Sequence, residues 1–474
     1  MNTKTSATAA LAVGIAVVLT GCASLPPLGQ PRLAKATVSY ETATALAAPA
    51  SEWPTEAWWT RYGDRQLDTL IGRALAASPT LAQAEARLHK AQAVRAVAAG
   101  SELPALGANA SAQAIKQSYT GLIPKPFLPL GYQDYGQATL NLNWQVDFWG
   151  KIRAAVAAAT SEAAAASAEA AEARLVLTTN IAAAYADLAR LRAEREVAIE
   201  AIRLREETAN LTAQRIANGL DTQAELKQAQ AGPPAARAAL ASVDESIALS
   251  RNALAALLGD GPDATASLAL PGPVHLTAFG LPADLPIHLI GRRPDVVAAR
   301  WRAQAAASRV GQAKAGFYPD INIAAYVGQQ SLHLDRILES GSAFGAVAPA
   351  LSLPIFEGGT LRGTLRGAQA DRDAAVAAYD AAVTQALREV ADVAASERAL
   401  TDRRDQSRLA LESYEAAYRI ARLRYEGGLA TFQSVLLAED AVLSQRRIVS
   451  DLDNRAFALD VALVRALGGG FAAS

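Results

Sequence analysis

Two hydrophobic periods share this chain. The stretch "QATLNLNWQVDF" alternates without a break: Ala138, Leu140, Leu142, Trp144, Val146 and Phe148 point one way. Gln137, Thr139, Asn141, Asn143, Gln145 and Asp147 point the other. A period of two is a strand with one apolar face. Twelve residues are near the 9–11 that a tilted strand needs to cross a bilayer. "LGANASAQAI" from Leu106 alternates more weakly, and "INIAAYVGQ" from Ile321 repeats the pattern. "AVAPALSLPIF" from Ala346 is apolar, but Pro349 and Pro354 sit badly in a central ladder. The expected strands cover about 105–116, 136–148, 320–330 and 343–356.

Elsewhere the period is helical. Residues 151–218 contain neither Gly nor Pro, and neither do 368–426 or 429–467. Helices are expected over 79–101, 151–218, 220–258, 294–316, 360–426 and 429–467. The longest would be rods of roughly 100 Å. Leu188, Leu191, Val197, Ile202, Leu204 and Leu211 recur at mixed spacings among many alanines, which suits close, coiled-coil-like packing. Gly232-Pro233-Pro234 interrupts 220–258; an interior proline costs about 3 kcal/mol, so a bend or a short break is expected there.

These elements occur twice. "SPTLAQAEARLHKAQA" at Ser78 matches "RPDVVAARWRAQAAAS" at Arg293, and Pro104 answers Pro319. "FWGKIR" at Phe148 answers "IFEGGTLR" at Ile355. "RIANGLDTQAE" at Arg215 answers "RYEGGLATFQS" at Arg424. Landmarks kept in order mark an internal duplication. A first repeat spans 64–259, a linker 260–284, and a second repeat 285–470. Four strands cannot close a barrel; about eight is the practical minimum. Two copies would give eight strands and three copies twelve.

The first 21 residues form a signal peptide, with one Lys and then an apolar run from Ala9 to Leu19. It ends in Leu19-Thr20-Gly21-Cys22, which resembles the bacterial lipobox. That resemblance implies cleavage before Cys22 and its acylation, opening a lipidated segment over 22–63. Ala23 follows the Cys rather than Asp, which implies the outer membrane. Cys22 is the single Cys of the chain, so no disulfide can form. Basic and acidic residues number 45 and 46, and no basic patch argues for nucleic acid. His89, His275, His288 and His333 are dispersed, without metal-ligand spacing. No catalytic constellation or cofactor motif stands out, so an enzyme is not expected. "GLIPKPFLPLGYQD" from Gly121 reads as an outward-facing hairpin loop. Trp53, Trp58 and Trp59 read as pins for the N-terminal segment.

Taken in order, five features resemble the NodT-type outer-membrane factor lipoproteins, relatives of TolC. They are the lipobox, "EAWWTRYGDRQLDTLIGRALAASPTLAQAEARL", "LAALLGDGP", the Arg292–Asp295 block with its flanks, and "ALGGGF" at Ala466. The resemblance covers the mature chain. It implies a mainly α fold with a small β part: an internally duplicated subunit of a homotrimer. Twelve strands would form a barrel in the outer membrane, continuous with a twelve-helix periplasmic barrel. It implies an exit duct for small molecules, served by a periplasmic adaptor and an inner-membrane pump of the resistance-nodulation-division type.

The resemblance places adaptor docking at the paired tips: Arg215, Gly219, Leu220 and Thr222, with Arg424, Gly428, Leu429 and Thr431. The two glycines suit the left-handed end of a helix and the two threonines a cap. Relatives carry an acidic pore constriction in a D-x-L-D pattern after the second Gly. Ser434 and Leu437 stand there instead, with Glu439 and Asp440 beyond, and Glu225 takes the place of Ser434 in the first repeat. Candidate constriction residues are therefore Asp221, Glu225, Glu426, Ser434, Glu439 and Asp440. Ion pairs of Arg215, Arg422 or Arg424 with Asp221, Glu225 or Glu426 are an alternative closure. A lipid-anchored helical scaffold without a pore is the other reading of the chain.

Overall fold

The fold is described from a computed structural model, which describes residues 29–36, 39–272, 274, 276–283 and 285–473. The signal segment, Cys22 and His275 lie outside the described residues. In chain order the elements are α1 (Arg65–Ala77), α2 (Pro79–Gly100), β1 (Ala105–Ile115), β2 (Gln133–Val146), α3 (Lys151–Ala217) and α4 (Gln223–Leu258). The second half repeats the order with α5 (Leu285–Arg292), α6 (Pro294–Ala315), β3 (Asp320–Leu332), β4 (Ala343–Ser352), α7 (Thr360–Glu426) and α8 (Phe432–Ala466). The fold is internally duplicated and mainly α with a small β part. Both α3 and α7 are 67 residues long, several times the ordinary helix.

The chain divides into two units. The first holds residues 88–166 and 299–379 with the start of the chain, and contains the sheet. Its strands form an antiparallel meander in the order β1-β2-β3-β4. Register sorts the side chains by face. Leu106 opposes Leu142, Leu142 opposes Ala325, and Ala325 opposes Val347. Leu140, Val327 and Gly345 share that face, as do Trp144, Ile323 and Pro349. Asn109, Thr139 and Gly328 lie on the other, as do Gln137 and Gln330. One face is thus almost wholly apolar and the other polar. The apolar face is open: Leu106 is 70%, Val327 61% and Val347 74% exposed. No helix among the described residues is long and apolar enough to cross a membrane.

Strand ends differ slightly from the sequence expectation. β2 starts at Gln133 and stops at Val146, because Asp147 turns into a helix cap: its carboxylate accepts the Ile152 N–H at 3.1 Å and the Arg153 N–H at 2.8 Å. β4 stops at Ser352, before Pro354, and keeps Pro349 because an edge strand tolerates it. Under the sheet, Phe317 and Leu365 pack with Val310.

The second unit holds 35–87, 167–298 and 380–474. Its main core joins Trp58, Tyr62, Leu67 and Ile71 to Tyr185 and Leu188 of α3, Leu254 and Leu258 of α4, and Phe457 and Val461 of α8. Trp58 meets Trp59 and Tyr62 edge to face, and the Tyr62 hydroxyl donates to Asp460 at 2.6 Å. Trp53 lies under the Arg292 guanidinium, 4.8 Å from its ring centre. The N-terminal segment is thereby bolted to the helices.

Pro233 and Pro234 do not break α4, which is continuous from Gln223 to Leu258. Of the bend or short break expected there, the break is absent. Two amide donors are missing, but Pro233 is buried against the bundle. A Cβ on Gly232 would stand 3.0 Å from Arg205 Cδ, so this turn is also where α4 closely approaches α3.

Candidate functional site

The two tips begin alike. α3 ends at Ala217; Gly219 adopts φ +72°, and the Leu220 N–H returns to the Arg215 carbonyl at 2.9 Å. α7 ends at Glu426; Gly428 adopts φ +73°, and the Leu429 N–H returns to the Arg424 carbonyl at 2.7 Å. This is the left-handed C-terminal motif that only glycine adopts without strain. Each tip then offers an exposed leucine, Leu220 at 60% and Leu429 at 72%. The next helices start at Gln223 and Phe432 rather than at 220 and 429, because Thr222 and Thr431 hold extended backbone as N-caps.

Beyond that the tips diverge. Thr222 and Glu225 form a capping box: the Thr222 N–H donates to Glu225 Oε2 at 2.7 Å, and the Glu225 N–H to Thr222 Oγ1 at 3.4 Å. Ser434 takes the Glu225 place in the second tip, and its shorter hydroxyl donates to the Thr431 carbonyl at 2.6 Å instead. Thr431 accepts no backbone N–H through its side chain. Within the subunit, Glu225 thus serves the helix end.

A buried ion pair within the first tip reaches across to the second. Arg215 Nε lies 2.9 Å from Asp221 Oδ2, with both side chains under one-tenth exposed. Its Nη1 donates to the Tyr425 carbonyl at 2.5 Å and the Glu426 carbonyl at 3.2 Å. The guanidinium also lies over the Tyr425 ring, 4.3 Å from its centre. The Tyr425 hydroxyl donates to Asp221 and lies 3.3 Å from Thr212 Oγ1. Burial, and then the carboxylate, push the Tyr425 hydroxyl up to about 12, so it stays a donor at neutral pH. Arg215 and Arg424, equivalent in sequence, are not equivalent here: Arg424 is exposed and reaches only the Leu429 carbonyl, at 3.5 Å. Phe432 and Tyr425 complete a small core with Val435, Val442 and Leu204.

The remaining candidates are placed as follows. Glu426 pairs with Arg422 at 3.0 Å along one helix, and Arg422 also reaches Glu207 at 3.1 Å. Glu439 is fully buried, with Arg205 Nε at 3.1 Å and the Thr208 hydroxyl donating to it. Asp440 also pairs with Arg205 and keeps a side chain 56% exposed. Asp221 and Glu439 are sequestered by arginines, and Glu225 caps a helix. Tyr425, Thr212, Arg205 and Thr208 were missed in the sequence. The signal for Tyr425 was available: it breaks the echo between the tips, standing where Ile216 stands in the first.

Helical hairpins latched at their tips in one unit, and a sheet with one apolar face in the other, suit a duct subunit and not an enzyme. The chain belongs to the outer membrane efflux protein family, whose model matches it twice, over residues 70–260 and 285–469. Over 478 residues it is 32% identical to the multidrug resistance outer membrane protein MdtP of Shigella flexneri, covering 98% of this chain and 96% of that one. It is 36% identical over 374 residues to the fusaric acid resistance protein FusA of Burkholderia cepacia, covering 77% and 70%. The crystal structure of the outer membrane protein VceC of Vibrio cholerae superposes with a TM-score of 0.85 and 46% identity, covering 88% of this chain and all of that one. The chain is an outer-membrane efflux channel protein, and the reading of a poreless scaffold falls.

Proposed function

We propose that three copies close a twelve-stranded barrel in the outer membrane and conduct small toxic molecules outward. A periplasmic adaptor and an inner-membrane pump deliver them. One observation carries this: the four-stranded sheet is apolar on one face, polar on the other and unpaired at both edges. In lipid every backbone group must be satisfied, so such a sheet is stable only when closed. Cys22 serves as the acylated anchor.

The tips are the adaptor's docking points. Leu220 and Leu429 project there as exposed apolar knobs at matching turns, so threefold assembly presents six of them. The Arg215–Asp221–Tyr425 latch holds neighbouring hairpins of one subunit together and keeps the periplasmic end narrow. The test is conductance of the purified protein in planar bilayers, paired with drug resistance of cells carrying it. Leu220→Asp with Leu429→Asp should abolish resistance while assembly and conductance persist. Full resistance in that variant would remove the docking assignment, and no conductance by the wild type would remove the pore.

A further inference from the structure

The hairpin loop between β1 and β2 carries a cluster that the duct does not use. Residues 116–132, "KQSYTGLIPKPFLPLGY", hold two lysines and no carboxylate. Lys116 Nζ lies 5.8 Å from the Tyr119 ring centre and 5.9 Å from that of Tyr132. Lys125 Nζ approaches Tyr119 from elsewhere in the loop, at 5.5 Å. The Tyr119 hydroxyl accepts the Gly131 N–H at 2.7 Å, which closes the loop on itself and holds the ring near both ammoniums. Among the described residues neither lysine makes an ion pair. Asp134, nearby in sequence, makes none with them.

Register places this cluster. Ile115 opposes Gln133 in the last pair of the ladder, so Lys116 and Tyr132 stand at the rim, just past the end of the sheet's apolar side. That side continues to the rim through Leu334 and Ile337 of the second hairpin loop, which lie against Gly136. Leu122 and Phe127 stand out from the first loop, Phe127 at 79% exposure and Leu122 wholly exposed. The second loop carries Asp335, Arg336 and Glu339, so unbalanced positive charge is confined to the first. Two ammoniums on a tyrosine scaffold, above an apolar wall and beside projecting apolar side chains, match one occupant. It must offer phosphate at the surface and acyl chains below.

We infer that Lys116, Lys125, Tyr119 and Tyr132 form a binding site for the phosphate-bearing headgroup of an outer-leaflet lipid, with Leu122 and Phe127 entering its acyl region. This rests on the outer-membrane barrel proposed above, with the helices on the periplasmic side.

Full-length protein in phosphatidylcholine nanodiscs would be titrated with bisphosphorylated lipid A, its dephosphorylated form, or inorganic phosphate alone. Bound lipid would be counted by native mass spectrometry. The phosphorylated lipid should bind the wild type, and Lys116→Gln with Lys125→Gln should weaken it roughly 30-fold, the worth of two lysines at an anionic surface. The dephosphorylated lipid should bind no better than that variant does. Equal binding by wild type and variant would overturn the site, and so would displacement of the lipid by millimolar phosphate. Unchanged conductance of the variant shows that the barrel is intact. Sidedness is read separately: Leu122→Cys should react with a membrane-impermeant maleimide in intact cells. Labelling only after lysis would refute the orientation, whatever the lipid result.

Discussion

At the scale of single residues, the latch depends on a donor that does not titrate in the working range. Tyr425→Phe removes one hydrogen bond to a buried carboxylate, worth about 1.5–3 kcal/mol. Single-channel recording should therefore show opening favoured by roughly 10–150-fold. Asp221→Asn should do more, because it strands Arg215 in a site 8% exposed. Glu439 behaves differently. Burial pushes its carboxyl above the usual range, while the Thr208 hydroxyl and Arg205 pull less strongly the other way. Tyr418, Arg422 and Asp440 also face it. Packed Glu439 thus holds a proton more tightly than Glu439 opened to water. The α3–α8 contact gains stability as pH falls through the interval above the ordinary carboxylate value, and loses it as pH rises. Hydrogen exchange along Thr208–Thr212 should follow that slope, and Glu439→Gln should flatten it.

The most family-specific blocks of the sequence meet in space. Arg293 is buried and bonds Asp295 at 2.7 Å, Glu389 at 2.6 Å and the Ala466 carbonyl at 3.2 Å. A Cβ on Gly468 would stand 1.9 Å from the Arg292 carbonyl oxygen, and one on Gly470 2.2 Å from the Thr55 backbone. Both glycines have positive φ, +88° and +85°. Gly468→Ala combines left-handed strain with a backbone clash, so thermal unfolding should reveal a loss of at least about 2 kcal/mol.

At the scale of elements, helices and strands were legible because period and punctuation agreed. Long Gly- and Pro-free runs gave α3 and most of α7, and strict alternation gave β2. What stayed hidden was contact. Asp221 and Glu439 read as pore acids because a sequence reports charge, not which arginine covers it. The Pro233-Pro234 pair read as a bend or a break, and the break is absent because tertiary packing, on which propensity is silent, holds the helix through it. The tips show the same limit: Glu225 and Ser434 align, yet only the longer side chain can reach back to close a capping box. Thr222→Ala should cost about 1 kcal/mol of local stability at the first tip, seen as faster amide exchange over the first turn of α4. The same change at Thr431 should be smaller, since its side chain caps no backbone N–H.

At the scale of the whole molecule, duplication supplies two of everything except closure. β1 and β4 each leave one edge unpaired, and three subunits of the proposed barrel must share each other's edges. That has a genetic consequence. A subunit with a faulty latch or docking leucine still carries good strand edges, so it enters mixed assemblies and spoils them. Expressed at equal level beside the wild type, it would leave only about one duct in eight free of defective subunits. Such alleles should therefore act dominantly, whereas a variant that cannot pair its strand edges should be recessive.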